Sequence, residues 1–250
     1  MEKWEELVGG ALLPAEKQAI DACRAGQPCT LGDGSRPEGP DDTRKIRAVV
    51  LRQLIIGGVK EDPTHDWGVN ITGAYVTGEL DISFATAKGP TILCYCLFDE
   101  ALVALQARFE VLNLSGSHLP ALNAQGAKVA GHVFLRGGFH ATGAVSLSGA
   151  VIGGGLECDG GRFETEEGFA LNAQAAQITG NVFLRGGFHA KGEVGLSGAV
   201  IGGQLACIGG RFENEKGHAL NAQAAQVAGD VFLSDAFHAT GAVSLSGAVI

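Results

Sequence analysis

The segment from Leu122 to Ala170 is followed directly by a near copy, Leu171 to Ala219. A third copy begins at Leu220 and runs to Ile250, so the chain repeats every 49 residues. A fixed period of this length calls for units that pack mainly on their immediate neighbours. Each copy divides again. LNAQAAQITGNVFLRGGF from Leu171 aligns with VGLSGAVIGGQLACIGGRF from Val194, which places Leu171 on Val194, Ala173 on Leu196, Ala176 on Ala199, Ile178 on Ile201, Val182 on Leu205 and Leu184 on Cys207. With one residue inserted, Phe188 falls on Phe212. The structural unit is therefore 23 or 26 residues long.

Within a unit, apolar residues come two apart: Leu171/Ala173, Ala176/Ile178, Val182/Leu184. Period two means a strand with one buried face. Glycines such as Gly180, Gly186 and Gly187 stand between these pairs, where the chain must turn. Short strands, tight corners and a turn of 23–26 residues describe one coil of a β-solenoid, with coils ~4.8 Å apart and each ladder satisfied by its neighbours. Propeller blades need four longer strands each. The inward ladders place Cys158 with Cys207, and Phe139, Phe163, Phe188, Phe212 and Phe237 together, one per coil.

Pairs such as Ala-x-Ile and Gly-x-Phe, with a small residue two before a large one, resemble pentapeptide-repeat proteins. That resemblance implies a right-handed quadrilateral β-helix. The string ALNAQAAQVAGDVFL…LSGAVIGG, after a helix like IRAVVLRQLIIGG, looks like bacterial proteins loosely labelled membrane-associated oxidoreductase. This second resemblance covers roughly residues 42 to 250 and brings no catalytic motif with it.

Residues 1–65 read as a helical N-terminal cap region, and 66–250 as the solenoid, with degenerate coils over 66–121 and regular double-coil repeats over 122–250. MEKWEELVGG and Pro14 to Ala25 read as helices, and residues 26 to 42 as a Gly/Pro/Asp-rich loop. Ile46, Val49, Val50 and Leu54 share one face of a further helix capped by Asp42 or Thr43. Such a region suits the unpaired strand edge that a solenoid leaves at its end. In the degenerate coils the inward pairs are Val69/Ile71, Ala74/Val76, Leu80/Ile82, Ile92/Cys94, Cys96/Phe98 and Leu112/Leu114.

The candidate chemistry is thin. Of the six cysteines, Cys158 and Cys207 lie two coils apart, ~9.6 Å at strand spacing and too far to bridge. Cys94 and Cys96, assigned to one strand face, read with Cys158 and Cys207 as small buried hydrophobes. His140, His189 and His238 recur at the repeat period, but the same spacing keeps any two from one zinc. No G-x-G-x-x-G, phosphate-loop or G-x-S-x-G motif occurs, so no cofactor, metal or catalytic residue is implied. The net charge is −9, the wrong sign for phosphate binding. The resemblance to pentapeptide-repeat proteins instead implies an acidic rod able to imitate DNA towards a type II topoisomerase. No uninterrupted apolar run is long enough to span a membrane, and the N-terminus lacks a signal-peptide pattern. The expected location is the cytoplasm.

One outward feature remains. If Val182 and Leu184 face in, Phe183 faces out, as do Phe134 and Phe232, with Glu157 and Ala206 on the coils between. The alternative is that Glu164 to Phe169 or Glu213 to His218 folds over them. At the C-terminal edge, Val243, Leu245, Ala248 and Ile250 have no layer beneath them, and a second copy could cover them. The expectation is a non-enzymatic β-solenoid scaffold or protein-interaction module. It would bind a protein partner through Phe134, Phe183 and Phe232 and self-associate through Val243, Leu245, Ala248 and Ile250. The alternatives are the topoisomerase-directed DNA mimic and a self-assembling bactofilin-like polymer.

Overall fold

The structure, a computed structural model, describes residues 4–250. After three short helices it is almost entirely parallel β-structure wound into stacked coils. Each coil has four sides, each typically one strand of two residues. The first face is a ladder of nine strands running from Cys29–Thr30 to Val231–Phe232. The second face runs from Lys45–Arg47 through His118–Leu119 and His140–Ala141, and the third from Leu80–Asp81 through Leu122–Asn123 and Val145–Ser146. The fourth has six strands, from Arg108–Phe109 to Gln226–Val227. Backbone groups pair from coil to coil, as in Val182 N–H to Gln204 O and Leu184 N–H to Ala206 O, both 2.8 Å. The β-solenoid reading of the sequence therefore stands.

Period-two alternation works as expected in the repeats. In the coil beginning at Val182, the side chains of Val182, Leu184, Phe188, Ala190, Val194, Leu196, Ala199 and Ile201 all lie inside and are fully buried. First-face partners are separated by 26, 23 and 26 residues from Leu156 to Val182, Leu205 and Val231. The extra length in the longer coils is not loop. Arg162–Asn172 and Arg211–Asn221 are continuous strands that carry the second face around the corner into the third.

A strictly five-residue spacing runs across the start of the near-identical repeats. From Leu102 to Val129 the buried pairs are Leu102/Ala104, Ala107/Phe109, Leu112/Leu114, Ser117/Leu119, Leu122/Ala124 and Ala127/Val129, each five residues after the last. Two residues remain for each corner, and at alternate corners the second of them takes a left-handed conformation, as at Gln106, Gly116 and Gly126. At one corner these residues are Phe84, Gln106, Gly126, Gly149, Ala175, Gly198, Ala224 and Gly247, with φ between 51° and 68°. This geometry overturns one expected pair. Ile92 and Cys94 face outward and are partly buried, whereas Thr91 and Leu93 face in. Inward Cys94 and Cys96 would leave only Tyr95 to make the turn. Cys94 and Cys96 consequently do not share a face.

The phenylalanine ladder forms, with ring centroids 5.2, 5.2, 5.1 and 5.2 Å apart from Phe139 to Phe237. Its members do not occupy one register position. His140 pairs with Arg162 and Ala141 with Phe163, so Phe139 stands opposite Gly161, and Phe163 opposite Ala141 and Ala190. Bulky and small residues thus exchange places on alternate coils, Phe-x-Ala against Gly-x-Phe. The glycine is required, because a Cβ at Gly161 would lie 2.8 Å from the Phe163 ring and 2.6 Å from Leu135 O. The 49-residue sequence period is the two-coil period of this alternation.

The N-terminal helices are Trp4–Val8, Pro14–Ala25 and Ala48–Ile55. Two segments of this region also enter the ladders. Cys29–Thr30 pairs with Ile71 and Thr72, and Lys45–Arg47 with Tyr75, Val76 and Thr77. Ile46 therefore lies buried on a strand, not on the helix, and Val49 is exposed. The helix buries Ala48, Val50, Leu51, Leu54 and Ile55 instead. Glu16 fastens the cap to the first coil. Its fully buried carboxylate accepts from the Arg47 guanidinium (2.6 and 2.7 Å), from Arg47 N–H (3.0 Å) and from Leu13 N–H (2.8 Å). Burial pushes its pKa up, but these bonds outweigh burial and hold it below the ordinary value.

Candidate interaction face

Alternation on the first face turns Phe134, Phe183 and Phe232 outward, in register with Glu157 and Ala206. All three rings are partly buried, and arginines lie over two of them, Phe134 and Phe183. The Arg136 guanidinium lies 4.5 Å from the Phe134 centroid and that of Arg185 lies 3.7 Å from Phe183. Carboxylates on the intervening coil hold both cations. Arg136 binds Glu157, which also lies 3.4 Å from His132, and Arg185 binds Asp159 at 3.0 Å. His132 also stacks on Phe134 at 5.4 Å. Cation–π contacts of this kind contribute ~0.5–2 kcal/mol each.

The third copy breaks the pattern. Ser234 stands where Arg136 and Arg185 stand in the earlier copies, so no guanidinium covers Phe232. Ala206 points outward between Phe183 and Phe232 yet is buried. Phe183, Ala206 and Phe232 are successive apolar rungs on the outward side of the ladder, and partly buried Phe232 is the rung whose ring lacks the arginine found over Phe134 and Phe183. The C-terminal coil itself is thinly covered. Val243 is 39% and Ile250 66% exposed, while Leu245 and Ala248 are partly buried.

The recurring histidines belong to a different ladder. On the second face His118, His140, Arg162, His189, Arg211 and His238 occupy successive outward rungs. Glu164 joins His140 (3.0 Å), Arg162 (2.8 Å) and Lys191 (3.3 Å). Glu213 joins His189 (3.2 Å) and Arg211. The Arg162 bond, ahead of the others, pulls the Glu164 pKa down to about 2. His118 and His140 stack at 4.4 Å. Burial, then His140 and Arg36, lower the His118 pKa. These carboxylates stitch one coil to the next. Among the described residues no three His, Cys, Asp or Glu groups are placed to hold a metal ion.

All six cysteines are free. Burial pushes the Cys96 and Cys207 thiols up to about 12 and raises Cys158 well above the ordinary thiol value, so none of these three offers a thiolate near neutrality. Sequence reasoning missed the arginine cover on the phenylalanines. Its signal was present, since Arg136 and Arg185 each follow their Phe by two residues, the spacing that returns a side chain to the same strand face. No helix among the described residues is long and apolar enough to cross a membrane. The chain is a β-solenoid, and comparison with protein-family models, curated proteins and solved structures returns no match.

Proposed function

We propose that this β-solenoid is a non-enzymatic scaffold that binds a protein partner along the Phe134/Phe183/Phe232 face. The observation that carries this reading is the run of rungs Phe183, Ala206 and Phe232, apolar and outward on a rigid ladder, with Phe232 lacking the guanidinium that covers its two counterparts. Aromatic rings fixed on a stiff backbone are favourable anchors, because little freedom remains to be lost on binding. The five-residue spacing of buried pairs from Leu102 to Val129, on four-sided coils, supports kinship with pentapeptide-repeat proteins. Right-handed winding would follow from that kinship. A location in the cytoplasm is part of the same proposal.

Self-association is the second half of it. The edge strand Val231–Phe232 and the exposed Val243 and Ile250 present backbone groups and apolar side chains together. Unpaired strand edges favour pairing with another chain. Two copies meeting there across a two-fold axis would cover Val243, Leu245, Ala248 and Ile250 while leaving the lateral Phe face free. Light scattering on the 250-residue protein tests this, with a dimer expected at micromolar concentration and a monomer refuting it. Phe183→Ser should leave the fold and the dimer intact and weaken partner binding. Unfolding would instead show that Phe183 is core.

A further inference from the structure

Where the cap meets the first coils, the backbone around Trp67 is held from several sides. His65 N–H donates to Cys23 O (2.9 Å), Gly68 N–H to His65 O (2.9 Å) and Val69 N–H to Pro90 O (2.9 Å). Trp67 N–H itself donates to His65 Nδ1 at 3.2 Å. Gly68 has φ 68°, and a Cβ there would collide with Pro90 O. On this fixed frame the Trp67 side chain is 74% exposed. The other tryptophan, Trp4, is buried and donates its indole N–H to Asp62 at 2.8 Å. A large ring on rigid backbone loses little entropy when something packs on it.

Beside Trp67 lies a cavity of about 600 Å³, lined by Gln27, Pro28, His65, Asn70, Pro90 and Ile92 among others. That volume lies within the range of small-molecule sites, which favour junctions between substructures. Ile92 faces outward here, beside Asn70 in register, at the one place where the expected alternation fails. No Asp, Glu, Lys or Arg lines the cavity, in a chain of which 18% is charged, so its lining suits an uncharged ligand. It is nevertheless polar. The Gln27 and Asn70 side-chain amides each offer donors and an acceptor. Because His65 Nδ1 accepts from Trp67 N–H, the neutral ring carries its proton on Nε2, leaving a donor.

A single exposed aromatic plate ringed by uncharged donors and acceptors matches a pyranose, which has an apolar C–H face and a rim of hydroxyls. We propose that the cap–solenoid junction binds a neutral saccharide, one sugar ring stacked on Trp67 with Gln27, Asn70 and His65 at its hydroxyls. A proline-rich segment needs an aromatic-lined groove, and Trp67 is the one Phe, Tyr or Trp in this lining.

Calorimetric titration of the 250-residue protein with maltotriose, cellotriose, triacetylchitotriose and a decaproline peptide tests the proposal. At least one trisaccharide is expected to bind saturably in the millimolar range. Trp67→Ala should abolish that binding with the circular dichroism spectrum unchanged, and Gln27→Ala should weaken it about tenfold, the equivalent of ~1.4 kcal/mol. Phe183→Ser should leave it unaltered, which separates this site from the phenylalanine face. Absence of saturable binding by all three sugars, binding that survives Trp67→Ala, or binding of decaproline alone would each overturn it.

Discussion

Phe188 sits in the middle of the aromatic ladder, fully buried, with ring centroids at 5.2 Å to Phe163 and 5.1 Å to Phe212. Replacing it with alanine removes the ring and leaves a gap. The residues opposite it on the neighbouring coils are Gly161 and Gly210, which have no side chains to fill the space, and ladder pairing holds their backbone in place. Partial relaxation is thus denied, and the cost should lie near the top of the ~3–5 kcal/mol range for Phe→Ala. Phe237 is the internal control. It is partly exposed and contacts only Phe212 in the ladder, so Phe237→Ala should cost less than half as much. Urea unfolding followed by circular dichroism gives the two values. Because stacked repeats need not unfold as one unit, hydrogen exchange should show the Phe188→Ala loss centred on the adjoining coils. A cost below about 1 kcal/mol for Phe188→Ala, or equal costs for the two variants, would refute the alternating ladder.

Three further outcomes follow from the same geometry. Gly161→Ala should destabilise by ~1–3 kcal/mol through overpacking against Phe163 and Leu135 O, measurable in the same urea experiment. Glu164, with a folded pKa of about 2 against an ordinary 4.5, contributes stability that is full above pH ~4.5 and lost as pH falls towards ~2. Wild-type midpoints should fall between pH 5 and pH 3 more steeply than those of Glu164→Gln, and parallel profiles would contradict this. Glu16→Ala strands the Arg47 guanidinium and the Leu13 and Arg47 N–H groups. A loss of about 3 kcal/mol is expected, read as early melting of the Pro14–Ala25 helix by hydrogen exchange.

The solenoid was legible because duplication prints the inward pattern three times, and period-two pairs such as Val182/Leu184 admit one reading of inside and outside. Two features escaped for physical reasons. Parity is reset at every corner, so Ile92 and Cys94 alternate correctly with each other yet face the wrong way, because two residues, one of them left-handed Tyr95, must separate successive pairs. Ile46 fits a helical period with Val49, Val50 and Leu54, but pairing with Val76 draws it into a strand; non-local pairing outweighed local pattern. Sequence similarity between copies and regularity of spacing are separate signals: the strict five-residue run from Leu102 to Val129 crosses the start of the near-identical repeats. Ladder geometry fixes positions and not identities, so spacing persists where side chains vary. On the candidate face the outward direction of Phe134, Phe183 and Phe232 was readable. Their unequal cover was not, because it depends on Asp159 and Glu157 fixing arginines across coils.

The most direct test of the scaffold account is size-exclusion light scattering of wild type and Phe183→Ser side by side, with circular dichroism on the eluted peaks. The account predicts a dimer in both cases, with identical β-rich spectra, because Phe183 faces outward on the side of the rod and the self-association edge is at its end. A wild-type monomer at micromolar concentration, or a Phe183→Ser protein that elutes unfolded, would contradict it.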